Sequence, residues 1–186
     1  MSAITIDNRG HDTTVIAFSG MAPLNHLYEW TTAFADIPAN FIGVRDPWEC
    51  WYRRSSFRIM REIWRRASRP WVFIGGSAGG FAALWLGREM RADRIVAFCP
   101  QSACGAAKRD LGDHRWSKLC LETPSLDIAW AYPQAIVHYA MDEPLDVMHA
   151  NRIEAEKREW SAGGHDLPYQ LKAHGILHDI LLEAMP

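Results

Sequence analysis

Short apolar runs rich in β-branched and aromatic residues recur along the chain, and segments with a helical pattern separate them. Most of these runs are almost continuously apolar, which is typical of strands that are buried on both faces of a parallel sheet. They lie at residues 3–6, 13–20, 40–46, 71–76, 94–100, 135–141 and 157–162. Strands and helices in alternation predict an α/β fold whose sheet carries helices on both faces.

Three intervening segments have helical patterns. In residues 55–67, Phe57, Met60 and Trp64 fall near one face of a predicted helix, and residues 79–90 continue directly from a glycine-rich turn. A third helix is predicted over residues 167–185. The longest irregular segment runs from 101 to 132 between two strands, with a short helix expected at 125–132. We expect this insertion to form a small cap over the edge of the sheet.

Composition narrows the class of protein. A chain of 186 residues fits a single domain over 1–186 with one core. A net charge of -2 gives no electrostatic reason to expect a nucleic acid or an anionic membrane, so small-molecule or protein partners are expected. We expect a small-molecule substrate, and no cofactor. No apolar stretch reaches 18 residues and the first twenty residues do not resemble an export signal, which predicts a cytoplasmic protein without a membrane span.

The four cysteines lack CxxC spacing, which favours free thiols over disulfides or a metal site. The oligomeric state stays open.

The run at residues 71–76 ends in the sequence WVFIGGSAGG, in which Gly75, Ser77 and Gly79 give the pattern G-x-S-x-G. Between a strand and a helix, this pattern makes a sharp turn that lifts the serine Oγ above the sheet. A dinucleotide-binding loop would need glycine in place of Ser77, and an ATP-binding loop would need lysine in place of Phe81. The pattern therefore favours a nucleophilic serine over a phosphate-binding loop or a purely structural turn.

The residues GGSAGG between WVFI and FAALWLG resemble the nucleophile elbow of the α/β-hydrolase superfamily. The resemblance implies a mostly parallel sheet of about seven or eight strands and a catalytic triad in the chain order Ser, acid, His. It also implies an oxyanion hole made by the backbone N–H groups of Ala78 and of Met21, with Gly20 the next choice for the second donor. The motif is close to the GDSAGG of hormone-sensitive-lipase-like esterases. Their HGGG-type motif is replaced here by FSGMAP, so the sequence predicts no subfamily.

The acid is expected directly after the strand at 135–141. Asp142 stands at the end of that strand and follows His138 at an H-x-x-x-D spacing that resembles the hydrolase pattern, so we predict Asp142 as the acid. Asp146 is the main alternative, although it is also well placed to cap a helix that begins near Val147.

His165 is the predicted base, because it follows a short strand and two glycines and leaves a full helix after it. His174 and His178 stay as alternatives, but either would require residues 167–173 to form the last strand. The other five histidines are interpreted as structural, with some reservation about the one in the insertion: His11, His26, His114, His138 and His149.

Together these residues predict a serine hydrolase that acts on an acyl ester or thioester. An acyltransferase with the same triad and a non-catalytic binding protein with the same fold remain as alternatives. Gly20, Trp48 and Trp51 are candidates for contacts with the substrate, although packing of the tryptophans in the core is an equally open interpretation. Candidates for contact with an anionic group are Arg45, Arg53, Arg54 and the segment KRDLGDHRW at 108–116.

Overall fold

The computed structural model describes residues 4–21 and 30–186. Within these ranges the strands follow the apolar runs of the sequence. They are β1 (Ile4–Asp7), β2 (Thr14–Phe18), β3 (Asn40–Val44), β4 (Trp71–Gly76), β5 (Arg94–Phe98), β6 (Ala103–Cys104), β7 (Leu126–Asp127), β8 (Ala131–Ala140) and β9 (Glu154–Trp160).

Seven of these strands form one sheet in the order β1-β3-β2-β4-β5-β8-β9, and β6 pairs with β7 in a separate antiparallel ribbon. Only β1 runs antiparallel to its neighbour in the sheet. Strands β2, β4, β5, β8 and β9 are parallel, so their carboxyl ends meet at one edge. The predicted mostly parallel sheet of about seven strands is confirmed. Strands β2 and β4 are buried along their whole length, which explains their unbroken apolar sequences.

The helices come between the strands and after the last one. They are α1 (Ser56–Arg66), α2 (Ala78–Glu89), α3 (Ala106–Asp110), α4 (Ser117–Glu122), α5 (Pro144–Asn151), α6 (Leu167–Ala173) and α7 (Ile176–Glu183), and a 3-10 turn at Gly164–Asp166 precedes α6. The helix predicted over residues 167–185 is two helices, because Gly175 adopts a left-handed φ of 76° between them.

Two details of the sequence prediction are wrong. In α1 the buried residues are Ile59 and Ile63, whereas Phe57 and Trp64 are 74% and 61% exposed. The helix expected at 125–132 is instead strand β7 and the beginning of β8. Among the residues described, no helix is both long enough and apolar enough to cross a bilayer.

The turn from β4 into α2 is set by close backbone contacts. A Cβ on Gly79 would lie 2.3 Å from the carbonyl oxygen of Phe18 at the end of β2, and one on Gly75 would lie 2.2 Å from the carbonyl oxygen of Gly79. Ser77, between them, has a φ of 53°, a value that non-glycine residues rarely adopt. The two glycines of the G-x-S-x-G pattern are therefore a steric requirement of this strand, turn and helix.

We expect Gly79→Ala to lower the free energy of unfolding by about 3 kcal/mol, because the new methyl group can be fitted only by moving backbone. Chemical denaturation measures this loss. The matched control is Gly76→Ala, where the nearest atom, Pro168 Cγ, would lie 3.6 Å from the new Cβ in ordinary contact. Equal stability of the two variants would contradict the steric explanation.

Candidate active site

Ser77 stands at the carboxyl edge of the sheet, between the end of β4 and the first residue of α2. Its backbone N–H donates to the carbonyl of Phe98 at the end of β5, at 2.9 Å. Its Oγ lies 2.8 Å from Nε2 of His165. The predicted nucleophile and the predicted base are thus in direct contact, although 88 residues separate them in the sequence.

His165 lies in the 3-10 turn that follows β9. Its Nδ1 is 2.7 Å and 3.0 Å from the two carboxylate oxygens of Asp146, which is completely buried in the first turn of α5. A carboxylate only accepts hydrogen bonds, so Nδ1 carries the proton and donates it to Asp146. The lone pair of Nε2 then faces the hydroxyl of Ser77, and that is the tautomer a general base needs.

The predicted contact between Asp142 and His165 is wrong, because Asp146 occupies that place. The Asp142 carboxylate instead accepts the backbone N–H groups of Gly163 and Gly164, at 3.2 Å and 2.9 Å. The reason is the early start of α5 at Pro144: its first turn carries Asp146 back to the sheet edge, while Asp142 stays in the connection. Asp142 therefore holds the loop that carries the histidine, and Asp146 contacts the ring.

Arg115 is a second partner of the buried acid. Its Nη1 donates to Asp146 Oδ1 at 2.9 Å. Burial acts to raise the pKa of the Asp146 carboxyl, but the hydrogen bond from His165 and then the contact with Arg115 outweigh it, and this pKa lies below its ordinary value. Asp146 is therefore ionised at neutral pH in spite of its burial.

Arg115 also contacts Asp113, with Nη2 2.8 Å and Nε 3.0 Å from the carboxylate oxygens. Asp113 is completely buried and has two further partners, Lys108 Nζ at 3.0 Å and His149 Nε2 at 2.9 Å. His149 Nδ1 accepts the backbone N–H of Ser102 at 3.1 Å, so its Nε2 carries the proton that Asp113 accepts. Burial acts to raise the pKa of Asp113, but the hydrogen bonds from His149, Arg115 and Lys108 reverse this and hold it well below the usual range.

A cavity of about 210 Å³ opens beside Ser77. It is lined by Gly20, Met21, Gly76, Ser77, Trp116, His165, Asp166, Pro168 and Tyr169. Gly20 and Met21, predicted as substrate and oxyanion contacts, are therefore next to Ser77, and the chain from 22 to 29 lies outside the described residues. Ala78, the other predicted oxyanion donor, is the first residue of α2, where a backbone N–H has no acceptor within the helix.

The two tryptophans predicted to contact the substrate do not line this cavity. Trp48 is 61% exposed and lines a larger surface cavity of about 400 Å³ near β1 and α1, which neither Ser77 nor His165 lines. Trp51 is completely buried and its Nε1 donates to the side chain of Gln101. Both predictions are wrong in position, because Trp51 is buried against Gln101 and Lys108, and Trp48 lies at the surface near β1 and α1.

Two of the arginines predicted to contact an anionic group, Arg53 and Arg54, contact other parts of the protein. The guanidinium of Arg53 stacks on Trp85 at 4.6 Å and donates to the carbonyl of Pro124, while Arg54 donates to the carbonyl of Glu122. Both tie the start of α1 to the insertion between 101 and 132. Arg45 is buried, 8% exposed.

Neither alternative base lines the cavity beside Ser77. His174 lies in the turn between α6 and α7 and His178 in α7, and both are exposed. His138, interpreted as structural, is buried in β8 and stacks on Phe98, and burial lowers its pKa to about 4. His26 lies outside the described residues.

Three residues near Ser77 and His165 have only a weak signal in the sequence. Arg115 and Trp116 belong to the segment KRDLGDHRW, where the concentration of charge next to an aromatic residue was the signal, and Tyr169 follows the predicted helix start at Pro168. Their contacts span the whole fold: Arg115 and His165 are 50 positions apart. Local patterns do not encode such distances.

Metal ligands and disulfides are absent from the described part of the chain. Within residues 4–21 and 30–186, no group of three or more His, Cys, Asp or Glu side chains is arranged to hold a metal ion. The four cysteines, Cys50, Cys99, Cys104 and Cys120, are free and buried.

Known proteins match this chain in structure but not in sequence. No protein-family model matches the sequence, and no curated protein matches it significantly. Solved structures do match, among them an alpha/beta hydrolase enzyme from the sediment metagenome of the lagoon of Mar Chica, Morocco, with a TM-score of 0.63 and 12% identity over 97% of this chain and 94% of that chain. The chain has the α/β-hydrolase fold.

Two further structures share this α/β-hydrolase fold with the chain. The capsule O-acetyltransferase of Neisseria meningitidis serogroup A matches with a TM-score of 0.69 and 17% identity, over 96% of this chain and 88% of that chain. The type II thioesterase BorB from the borrelidin biosynthetic cluster matches with a TM-score of 0.65 and 12% identity, over 97% and 95%. At these identities the likeness is one of fold.

The buried charges around Asp113 predict a large effect on stability. We expect Asp113→Asn to lower the free energy of unfolding by about 3 to 5 kcal/mol, because Lys108 and Arg115 lose the carboxylate that compensates their burial. Urea denaturation measures the loss. The control is Asp110→Asn on the exposed side of α3, for which we expect a change within about 0.5 kcal/mol. A stability of Asp113→Asn equal to that of the control would refute the assignment.

Proposed function

We propose that the protein is a serine hydrolase that acts on an acyl ester or thioester, with Ser77 as nucleophile, His165 as general base and Asp146 as the acid that orients the base. One observation carries the proposal: Ser77 Oγ is 2.8 Å from His165 Nε2, while the other ring nitrogen is 2.7 Å from Asp146. A serine hydroxyl is too weakly acidic to attack alone, so a base at this distance is what its chemistry requires.

In the first half of the reaction, His165 Nε2 takes the Ser77 proton as Oγ bonds to the acyl carbon. The carbonyl oxygen becomes an oxyanion, and the imidazolium is stabilised by the Asp146 carboxylate. The proton on Nε2 then passes to the leaving alcohol or thiol as its bond to the acyl carbon breaks. The product is an acyl ester of Ser77.

Water completes the cycle. His165 Nε2 removes a proton from the water molecule while its oxygen bonds to the acyl carbon, and the same proton returns to Ser77 Oγ as the acyl–enzyme bond breaks. The acid product leaves and the starting protonation states are restored. No further co-reactant is needed.

The backbone N–H groups of Ala78 and Met21 are the proposed oxyanion donors. Ala78 begins α2, so the positive end of the helix dipole supports negative charge beside Ser77. Met21 lines the same cavity from the end of β2. One oxyanion donor contributes about 3 kcal/mol to catalysis in other enzymes.

The size of the cavity supports the proposal of a small acyl group. Its volume of about 210 Å³ is smaller than the usual range for sites that enclose a whole ligand. The half-exposed side chains of Trp116 and Tyr169 stand at its border. A short acyl chain would fill the cavity, and the remainder of the substrate would lie across these two aromatic side chains.

An acyltransferase is the second candidate, because an alcohol could replace water as the acceptor with the same three residues. The match to a capsule O-acetyltransferase, an enzyme of that chemistry by its name, supports keeping this candidate. A non-catalytic binding protein is less well supported, since it would have no use for an aligned serine, histidine and buried carboxylate.

The nucleophile is tested by labelling with a fluorophosphonate probe, which reacts with an activated serine. We expect the wild type to be labelled and Ser77→Ala to remain unlabelled at equal concentration and equal thermal stability. Ser102→Ala is the control, because that serine is also hydrogen-bonded to a histidine but is completely buried. Labelling that survives in Ser77→Ala, or none in a folded wild type, would reject the proposal.

The choice of acid is tested by two Asp→Asn variants four positions apart. We expect Asp146→Asn to lower turnover of p-nitrophenyl acetate by about 10⁴-fold, because the amide favours the wrong tautomer of His165. Asp142→Asn keeps one acceptor for the Gly163–Gly164 loop, so the expected loss is about 10-fold. A larger loss in Asp142→Asn than in Asp146→Asn would return the role to Asp142.

A further inference from the structure

Arg115 connects the insertion between 101 and 132 to the proposed triad. Its guanidinium spans two buried carboxylates, with Nη1 on Asp146 and both Nε and Nη2 on Asp113. Nη1 also lies 3.2 Å from Nδ1 of His165. Both of these nitrogens carry hydrogens, so this is a contact against the edge of the ring. Arg115 therefore touches the acid and limits the rotation of the base.

The position of Arg115 is fixed from behind. Asp113 is held by Lys108 and His149, both completely buried. Lys108 Nζ also donates to the backbone carbonyl of Arg115, and the backbone N–H of Arg115 donates to Asp113 at 2.9 Å. Asp113 thus holds both the main chain and the side chain of Arg115, and Lys108 holds its backbone carbonyl. From this support, Nη1 of Arg115 reaches Asp146 and His165.

The need for a cation at this place follows from the burial of Asp146. The carboxylate has no exposed surface, and its partners are His165, Arg115 and the thiol of Cys99. With His165 neutral before the reaction, Arg115 is the one full positive charge among these three groups. A buried carboxylate without a paired charge takes up a proton readily, and a protonated Asp146 could not hold the required tautomer of His165.

We propose that Arg115 is a positioning residue for the triad, keeping Asp146 ionised and aligned on His165. The insertion is then part of the catalytic machinery as well as a cover. This inference rests on the proposed function, because it assigns Arg115 a role only through Asp146 and His165.

The test measures the rate of fluorophosphonate labelling of Ser77 as a function of pH. We expect Arg115→Met to lower the second-order rate constant by about 100-fold, as loss of alignment does in other enzymes. We also expect the acid limb of the pH profile to move up by about one pH unit, because the carboxylate loses an adjacent cation. Arg115→Lys keeps the charge, so its acid limb should stay at the wild-type pH with a rate within about 10-fold.

Lys118→Met, at an exposed position of helix α4 in the same insertion, is the matched control and should label like the wild type. Should Arg115→Met fail to fold, Arg115→Gln takes its place as the uncharged variant for comparison with Arg115→Lys. A wild-type rate in the uncharged variant, or a lower rate with an unmoved acid limb, would overturn the inference. Labelling that persists in Ser77→Ala would instead reject the proposed function, so the two failures are distinguishable.

Discussion

The contact between the amino end of α2 and the carboxyl end of β2 determines where Ser77, the proposed nucleophile, lies. A side chain on Gly79 would collide with the carbonyl of Phe18, so only glycine lets the helix start so close to the neighbouring strand. The short turn that results forces Ser77 into a left-handed conformation and directs it away from the sheet. The same closeness brings Met21, just past β2, to the border of the cavity. The positions of the proposed nucleophile and of the proposed oxyanion donors thus have one steric cause.

The sequence was informative wherever local pattern and function coincide. Strands buried on both faces are continuous apolar runs, and Ser77 and His165 stand in glycine-rich turns at strand ends, so both could be predicted. Which aspartate lies beside His165 depends on where α5 begins. Pro144 at the first helical position, after Glu143 as N-cap, places Asp146 in the first turn, and this signal was available in the sequence. The rule that the acid directly follows its strand points instead to Asp142, and here that rule does not hold.

Contacts between distant segments could not be predicted. Nothing in residues 108–116 indicates that Arg115 reaches Asp146, 31 positions away, across the edge of the sheet. The apolar character of a residue also does not determine whether it is buried in a helix that lies at the surface. Phe57 points to solvent from α1 while Ile59 packs inward, because the helix is oriented by the strands beneath it. Which aromatic residues line the cavity beside Ser77 depends on the same long-range packing, and this is why Trp116 lies there and Trp51 does not.

Asp142 and Asp146 divide one task between them. Asp142 accepts hydrogen bonds from the main chain at Gly163 and Gly164, and Asp146 accepts one from Nδ1 of the His165 ring. The histidine is consequently attached at two points to a single stretch of five residues, which fixes its height above the sheet separately from the direction of its imidazole. A lengthening of this stretch by one residue would preserve at most one of the two attachments. The connection from β8 to α5 thus works as a spacer of defined length, and its residue count matters as much as its composition.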